Sequence, residues 1–260
     1  MNFFVSPLLR VLLAATLILA TVSPTRGATL VFGDSSYNLD SVEGSSGASG
    51  GGLIGSFNVT EQLQIVSADL AVQGLVAGSV ITGVRTRINS GNGMVGDRSI
   101  SDFEITLAQA ANAIGSMSTT FADNMLDPVL VHDGAFSFFD AQMPEGSTPN
   151  AFGQLVSFDT PYTYQGGDLV FMFSRPSVTG GSGISTDHHF LGDGTIVRRL
   201  YGGTFHAATG SLDTGFAVLQ LEFSSVPEPS RALLLMVGLL GTGLLRKRVR
   251  PLVESREDFT

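Results

Sequence analysis

The chain has no cysteine and no tryptophan, and no lysine falls between Ala28 and Phe223. Without cysteine there is no disulfide, no thiolate nucleophile and no thiolate-ligated metal, so stability must come from the apolar core alone. The absence of tryptophan removes the largest flat surface that could stack on a sugar ring. Between Ala28 and Phe223, six arginines face nineteen aspartates and glutamates, so this region is more acidic than the whole-chain net charge of −9 implies. Such a surface repels nucleic acid and anionic membranes. It suits solubility outside the cell or contact with divalent cations. Glycine is abundant instead, at 32 of 260 residues. That favours many turns over long helices.

The two ends carry the longest apolar runs. Met1 to Gly27 reads as a secretory signal peptide: Arg10 precedes the apolar stretch Val11–Ala20, and Ser23-Pro24 follows it. Thr25 and Gly27 then supply small residues at the −3 and −1 positions. About ten apolar residues are too few to span a bilayer. At the other end stands Val226-Pro227-Glu228-Pro229-Ser230. Its two prolines fix φ and remove backbone donors, so this strip is extended and accessible. Ala232–Leu245 follows as a short apolar helix, about 21 Å long at 1.5 Å per residue, against a hydrocarbon core of about 30 Å. Arg246, Lys247, Arg248 and Arg250 then form a basic stop, which predicts a cytoplasmic C-terminus.

This order of Pro-Glu-Pro, apolar helix and Arg-rich end resembles the PEP-CTERM sorting signal of exosortase substrates in Gram-negative bacteria. The resemblance covers Val226 to Arg250. It implies recognition by an exosortase-type membrane transpeptidase, cleavage near Pro227-Glu228-Pro229, and delivery to the cell surface or an extracellular matrix. Arg231 stands where the family usually has a small or apolar residue, and Pro251–Thr260 runs past the usual end. Export would use the Sec translocon and signal peptidase, with the C-terminal helix holding the chain in the inner membrane before processing.

Three domains are therefore expected: a signal peptide at 1–27, an ectodomain at 28–223, and a sorting tail at 224–260. The ectodomain alternates with period two between turn signals. Phe103, Ile105 and Leu107 share one strand face, and Asp102, Glu104 and Thr106 share the other; Val84, Thr86 and Ile88 oppose Arg85 and Arg87 in the same way. Such runs predict half-buried antiparallel strands. Ala108–Ala113 could form one or two helical turns. Asp133-Gly134 reads as a turn between two short strands, and Gly166-Gly167 as the turn of a hairpin feeding Asp168–Phe173. The fold expected is an all-β antiparallel sandwich, jelly-roll-like or Ig-like.

Motifs that carry chemistry are few. Asp187-His188-His189 with Asp193 is the most metal-like group, although neighbours on a strand point to opposite faces. Calcium could use Asp97, Asp102, Asp187, Asp193 or Asp213, but no known calcium-loop spacing orders them. Asp102 and Glu104, two residues apart on one strand face, sit about 7 Å apart, within the spacing of inverting glycosidases. No nucleophile elbow or zinc-binding helix is present. The expectation is a non-enzymatic surface or matrix protein without a required cofactor, structural or adhesive in an exopolysaccharide or biofilm setting. The alternative is a calcium-dependent glycan-binding module or a polysaccharide-active enzyme on the same export route.

Overall fold

Phe103, Ile105 and Leu107 are fully buried while Asp102, Glu104 and Thr106 are not. The two-residue period thus becomes a strand with one face in the core. The computed structural model describes residues 27–46, 52–181, 185–190 and 193–225. Among these residues the elements run β1 (Gly27–Val31), α1 (Asp34–Tyr37), β2 (Ser45–Ser46), β3 (Val59–Ile65), α2 (Ser67–Val72), β4 (Val80–Thr86), β5 (Arg98–Ala110), β6 (Met125–Phe138) and β7 (Val156–Thr163). The order continues with β8 (Leu169–Arg175), β9 (Asp187–His189), β10 (Val197–Gly202), β11 (Ser211–Asp213), β12 (Phe216–Ala217) and β13 (Leu219–Ser224). No helix among the described residues is long and apolar enough to cross a membrane. The predicted membrane helix at 232–245 and almost all of the signal peptide fall outside those residues.

The described residues are mostly β, and every strand pair among them is antiparallel. One sheet has the order β1-β13-β4-β7, a second β11-β10-β3-β8-β5-β6, and a short third β12-β9-β2. Val84, Leu221 and Phe223 from the first sheet and Leu63, Ile105, Phe171 and Phe173 from the second belong to one buried cluster. Phe32, just past β1, meets Phe171 of β8 edge-on with ring centroids 5.7 Å apart, a favoured aromatic geometry.

Three local expectations change. Gly166-Gly167 does not close a hairpin, because β7 pairs with β4 and β8 pairs with β3 and β5. Both glycines hold positive φ, and Tyr164 is tied to β4's side by the bonds Tyr164 N→Ser79 O (2.9 Å) and Gly78 N→Tyr164 O (2.8 Å). The turn therefore carries the chain from one sheet to the other. Asp133-Gly134 is not a turn either. Gly134 adopts φ 123° within the continuous strand β6, where the register against β5 shifts. The extra residue lies on β5 between Ile100 and Phe103, and glycine beside it takes the positive φ without a Cβ penalty. Ala108 and Ala110 extend β5 and form no helix, since partners on β8 and β6 satisfy the strand backbone.

The strand β3 is buried on both faces, where one buried face was expected. Its outer face is covered by irregular chain held through amides: Gln62 Nε2 donates to Phe121 O (3.1 Å), Asn124 Nδ2 to Gln62 Oε1 (2.9 Å), and Gln64 Nε2 to Asn112 O (2.8 Å). These bonds satisfy the Gln62 amide and the Gln64 amino group, while Gln64 Oε1 and both Glu61 carboxylate oxygens, also on β3, are buried without a hydrogen-bond partner among the described residues.

At the edge of the first sheet, Gly27 of β1 lies opposite Ser224 of β13. The chain thus enters and leaves the sheet at neighbouring positions.

Candidate functional site

The sorting motif Val226, Pro227, Glu228, Pro229 and Ser230 and the basic stop Arg246, Lys247, Arg248 and Arg250 lie outside the described residues. The remaining candidates can be placed.

The strand β9 separates the residues of the metal-like group. Asp187 is fully buried against Arg87, whose Nε donates to Asp187 Oδ2 at 2.6 Å. The His188 ring turns to a buried environment where Nδ1 meets Thr186 O at 3.1 Å. His189 stacks on Tyr37 with ring centroids 4.2 Å apart. Asp193 accepts from Thr195 N (2.9 Å) and Thr195 Oγ1 (2.6 Å), which lower its carboxyl below the usual value. Each ring or carboxylate is thus engaged separately, and these four residues do not converge on one point.

Burial pushes the Asp187 carboxyl up to about 6, and Arg87 opposes part of that rise. A carboxyl with a raised folded-state pKa favours the folded chain in its protonated form. Its contribution is full below the ordinary value of 3.8 and is lost as pH rises to about 6. The wild-type chain should therefore lose stability relative to Asp187→Asn as pH rises from about 4 to 6, by at most about 3 kcal/mol, and run parallel to it above that. Denaturation midpoints of the two proteins across pH 4–8 check this.

Asp102 and Glu104 on β5 gain a third carboxylate that the strand spacing did not reveal. Asp133 of β6 lies directly opposite Glu104, and one oxygen from each of the three lies within 4.8 Å of the others. Two ligands across a calcium ion, at 2.3–2.6 Å each, span about the same distance. This contact is tighter than the 7 Å inferred along the strand, and it suits a shared hard cation better than an acid and base with water between them. Glu104 already holds His206, whose Nε2 is 2.9 Å from Glu104 Oε1. Asp97 instead accepts Asp140 N at 3.0 Å, and Asp213 accepts Thr214 N at 2.7 Å.

Sequence reading missed the cleft on the outer face of the first sheet. Arg85 of β4, Arg87 just past it and Gln220 of β13 floor an open cleft of about 490 Å³ there. The segment Ser147–Gly153 walls it and is docked on β4: Gly153 N donates to Thr86 O (2.9 Å), Arg85 Nη1 to Gly153 O (2.7 Å), and Asn150 Nδ2 to Ile88 O (3.1 Å). Asp40 stands on the rim. Ser90 ties the two sides, with Ser90 N donating to Glu43 Oε1 (2.6 Å) and Ser90 Oγ 2.8 Å from Ser147 O. Alternation along β4 did place Arg85 and Arg87 on one outward face. Nothing in the sequence brings residues near 40 and near 150 over that face, because their approach depends on loop docking.

No protein-family model matches this chain, and neither does any curated protein.

Proposed function

We propose that this is an exported surface or matrix protein whose C-terminal tail is a PEP-CTERM sorting signal. The observation that carries the reading is the ordered tail itself: Val226-Pro227-Glu228-Pro229-Ser230, the apolar run Ala232–Leu245, and the stop Arg246-Lys247-Arg248-Val249-Arg250. Sec-dependent export and signal peptidase act at the N-terminal end, and an exosortase-type transpeptidase acts near Glu228. The described body supports this reading because its last strand pairs with its first, Ser224 opposite Gly27. Both processed ends then follow from neighbouring strands of one sheet.

The body is a β-sandwich, jelly-roll-like or Ig-like, made of the two larger sheets; their shared buried cluster supports that layout. Its role is structural or adhesive, with exopolysaccharide as the contact. Mass spectrometry of the mature C-terminus tests the sorting claim. A terminus near Glu228 is expected. A chain that keeps its tail through Thr260 at the cell surface overturns it.

A further inference from the structure

We infer that the cleft on the outer face of the first sheet binds a neutral saccharide segment. The inference deepens the proposed contact with polysaccharide and rests on that reading only for which polymer the chain meets. The cleft is large enough for a small ligand, since such sites run from about 300 to 1,000 Å³. At about 490 Å³ it lies inside that range.

Its chemistry selects among ligand classes. Both floor arginines are already neutralised. Arg85 is held by Glu222, with Nη2 to Oε1 at 2.7 Å, and Arg87 by Asp187. Among the described residues, the Asp40 carboxylate on the rim and the Gln220 carboxamide on the floor make no hydrogen bond. The unspent charge of the cleft is therefore negative, which disfavours anions such as phosphates and uronates. What remains free is a carboxylate acceptor, an amide that both donates and accepts, and the unused N–H groups of Arg85. Hydroxyl-rich ligands complement that set, because each hydroxyl donates once and accepts twice. Pro149, Ala151 and Phe152 add an apolar wall for the carbon face of a ring. Phe152 is fixed in place by the Arg87 guanidinium, 5.1 Å from its ring centroid.

The cleft is also built to keep its shape. Its wall is bonded to the backbone of Thr86 at the end of β4 and of Ile88 just past it, and its far end is closed by Glu43, Ser90 and Ser147. A preformed site avoids the ordering cost that a loose loop would impose on binding.

Calorimetry on the full-length chain in a sugar-free detergent tests the assignment. The probes are neutral glucose and galactose tetrasaccharides, a tetragalacturonate and a chitosan tetramer. A neutral tetrasaccharide is expected to bind best. Asp40→Ala and Gln220→Ala should each weaken that binding roughly tenfold, the loss of one good hydrogen bond, with unchanged melting temperatures. Preference for the galacturonate or the chitosan tetramer, wild-type affinity in both variants, or no heat from any neutral probe overturns it. Tail processing is read separately by mass spectrometry, so either claim can fail while the other stands.

Discussion

Arg87→Ala is expected to cost the fold about 3–5 kcal/mol, because it strands a buried carboxylate. The Arg87 and Asp187 side chains are 1% and 0% exposed, and the two are bonded at 2.6 Å. Truncating the arginine also removes the donor to Val42 O, 2.8 Å away, and the cation over Phe152. Burial already raises the Asp187 carboxyl, and loss of Arg87 raises it further. The destabilisation should thus be larger at pH 8 than at pH 5, where protonation neutralises the stranded group. Urea denaturation at both pH values reads this directly. The double variant Arg87→Met/Asp187→Leu should recover much of the loss, since an apolar replacement of a buried pair is often neutral. If Arg87→Ala costs under 1 kcal/mol, the pair does not hold this region together.

The same pair explains how segments distant in sequence are arranged. Asp187 sits on β9, whose neighbour β2 brings Gly44 so close that a Cβ there would overlap Asp187 Oδ1 and the His188 carbonyl. Arg87 continues the outward face of β4. One ion pair therefore joins the first sheet, the short third sheet and the strand-to-strand chain near Val42. The cleft inherits its shape from this junction.

What could be read from sequence follows from how local each signal is. Strand faces were legible because alternation is written within six residues, as in Phe103, Ile105 and Leu107. Pairing was not. Gly166-Gly167 has the residues of a hairpin turn, yet it joins two sheets, because the choice of partner depends on which distant strand completes the core. Asp133-Gly134 likewise has turn residues but pairs in register with Glu104 and Phe103 inside a 14-residue strand. For the candidate sites, alternation placed Asp102 and Glu104 together, but Asp133 joined them only through cross-strand register. The separation of His188 and His189 followed from strand geometry alone. The cleft was invisible, since its rim residues Asp40 and Phe152 are more than a hundred positions apart.

Burial of arginine was the least legible feature. Six arginines in an acidic body suggest exposed cations, yet Arg87, Arg98, Arg175 and Arg199 are all buried. Each spends its donors on carbonyls or carboxylates that a loop-rich sandwich leaves without strand partners. Arg98 donates to Ile54 O at 2.7 Å, and Arg175 donates to Phe57 O at 2.6 Å and Gly52 O at 2.9 Å. A planar, five-donor group does this in a way that lysine cannot.

Arg175→Ala should therefore be at least as damaging as Arg87→Ala, at about 4 kcal/mol or more. Arg175 is fully buried on β8, and burial lowers its guanidinium to about 10 without neutralising it. Its Nη1 also meets Pro176 O at 3.3 Å, so truncation removes the donors to Gly52 O and Phe57 O, at the two ends of the 52–58 segment, and to Pro176 O beside the arginine. Each buried orphan costs about 1–3 kcal/mol. Truncation also leaves Glu61, fully buried opposite Phe173 of β8, with Arg199 at 3.3 Å as its remaining counter-ion. Arg175→Lys keeps the charge but cannot reach Gly52 O and Phe57 O together, so it should recover less than half of the loss. Arg198→Ala is the control: among the described residues that side chain holds two 3.3 Å contacts, to Ile114 O and Gly115 O, and its loss should cost under about 0.5 kcal/mol. Denaturation midpoints order the three variants. A double-mutant cycle with Glu61→Gln then separates the charge from the loop bonds, because only the charge contribution couples the two positions. If Arg175→Ala and Arg198→Ala melt together, the buried guanidinium does not organise the loop, and apolar packing alone holds that end of the sheet.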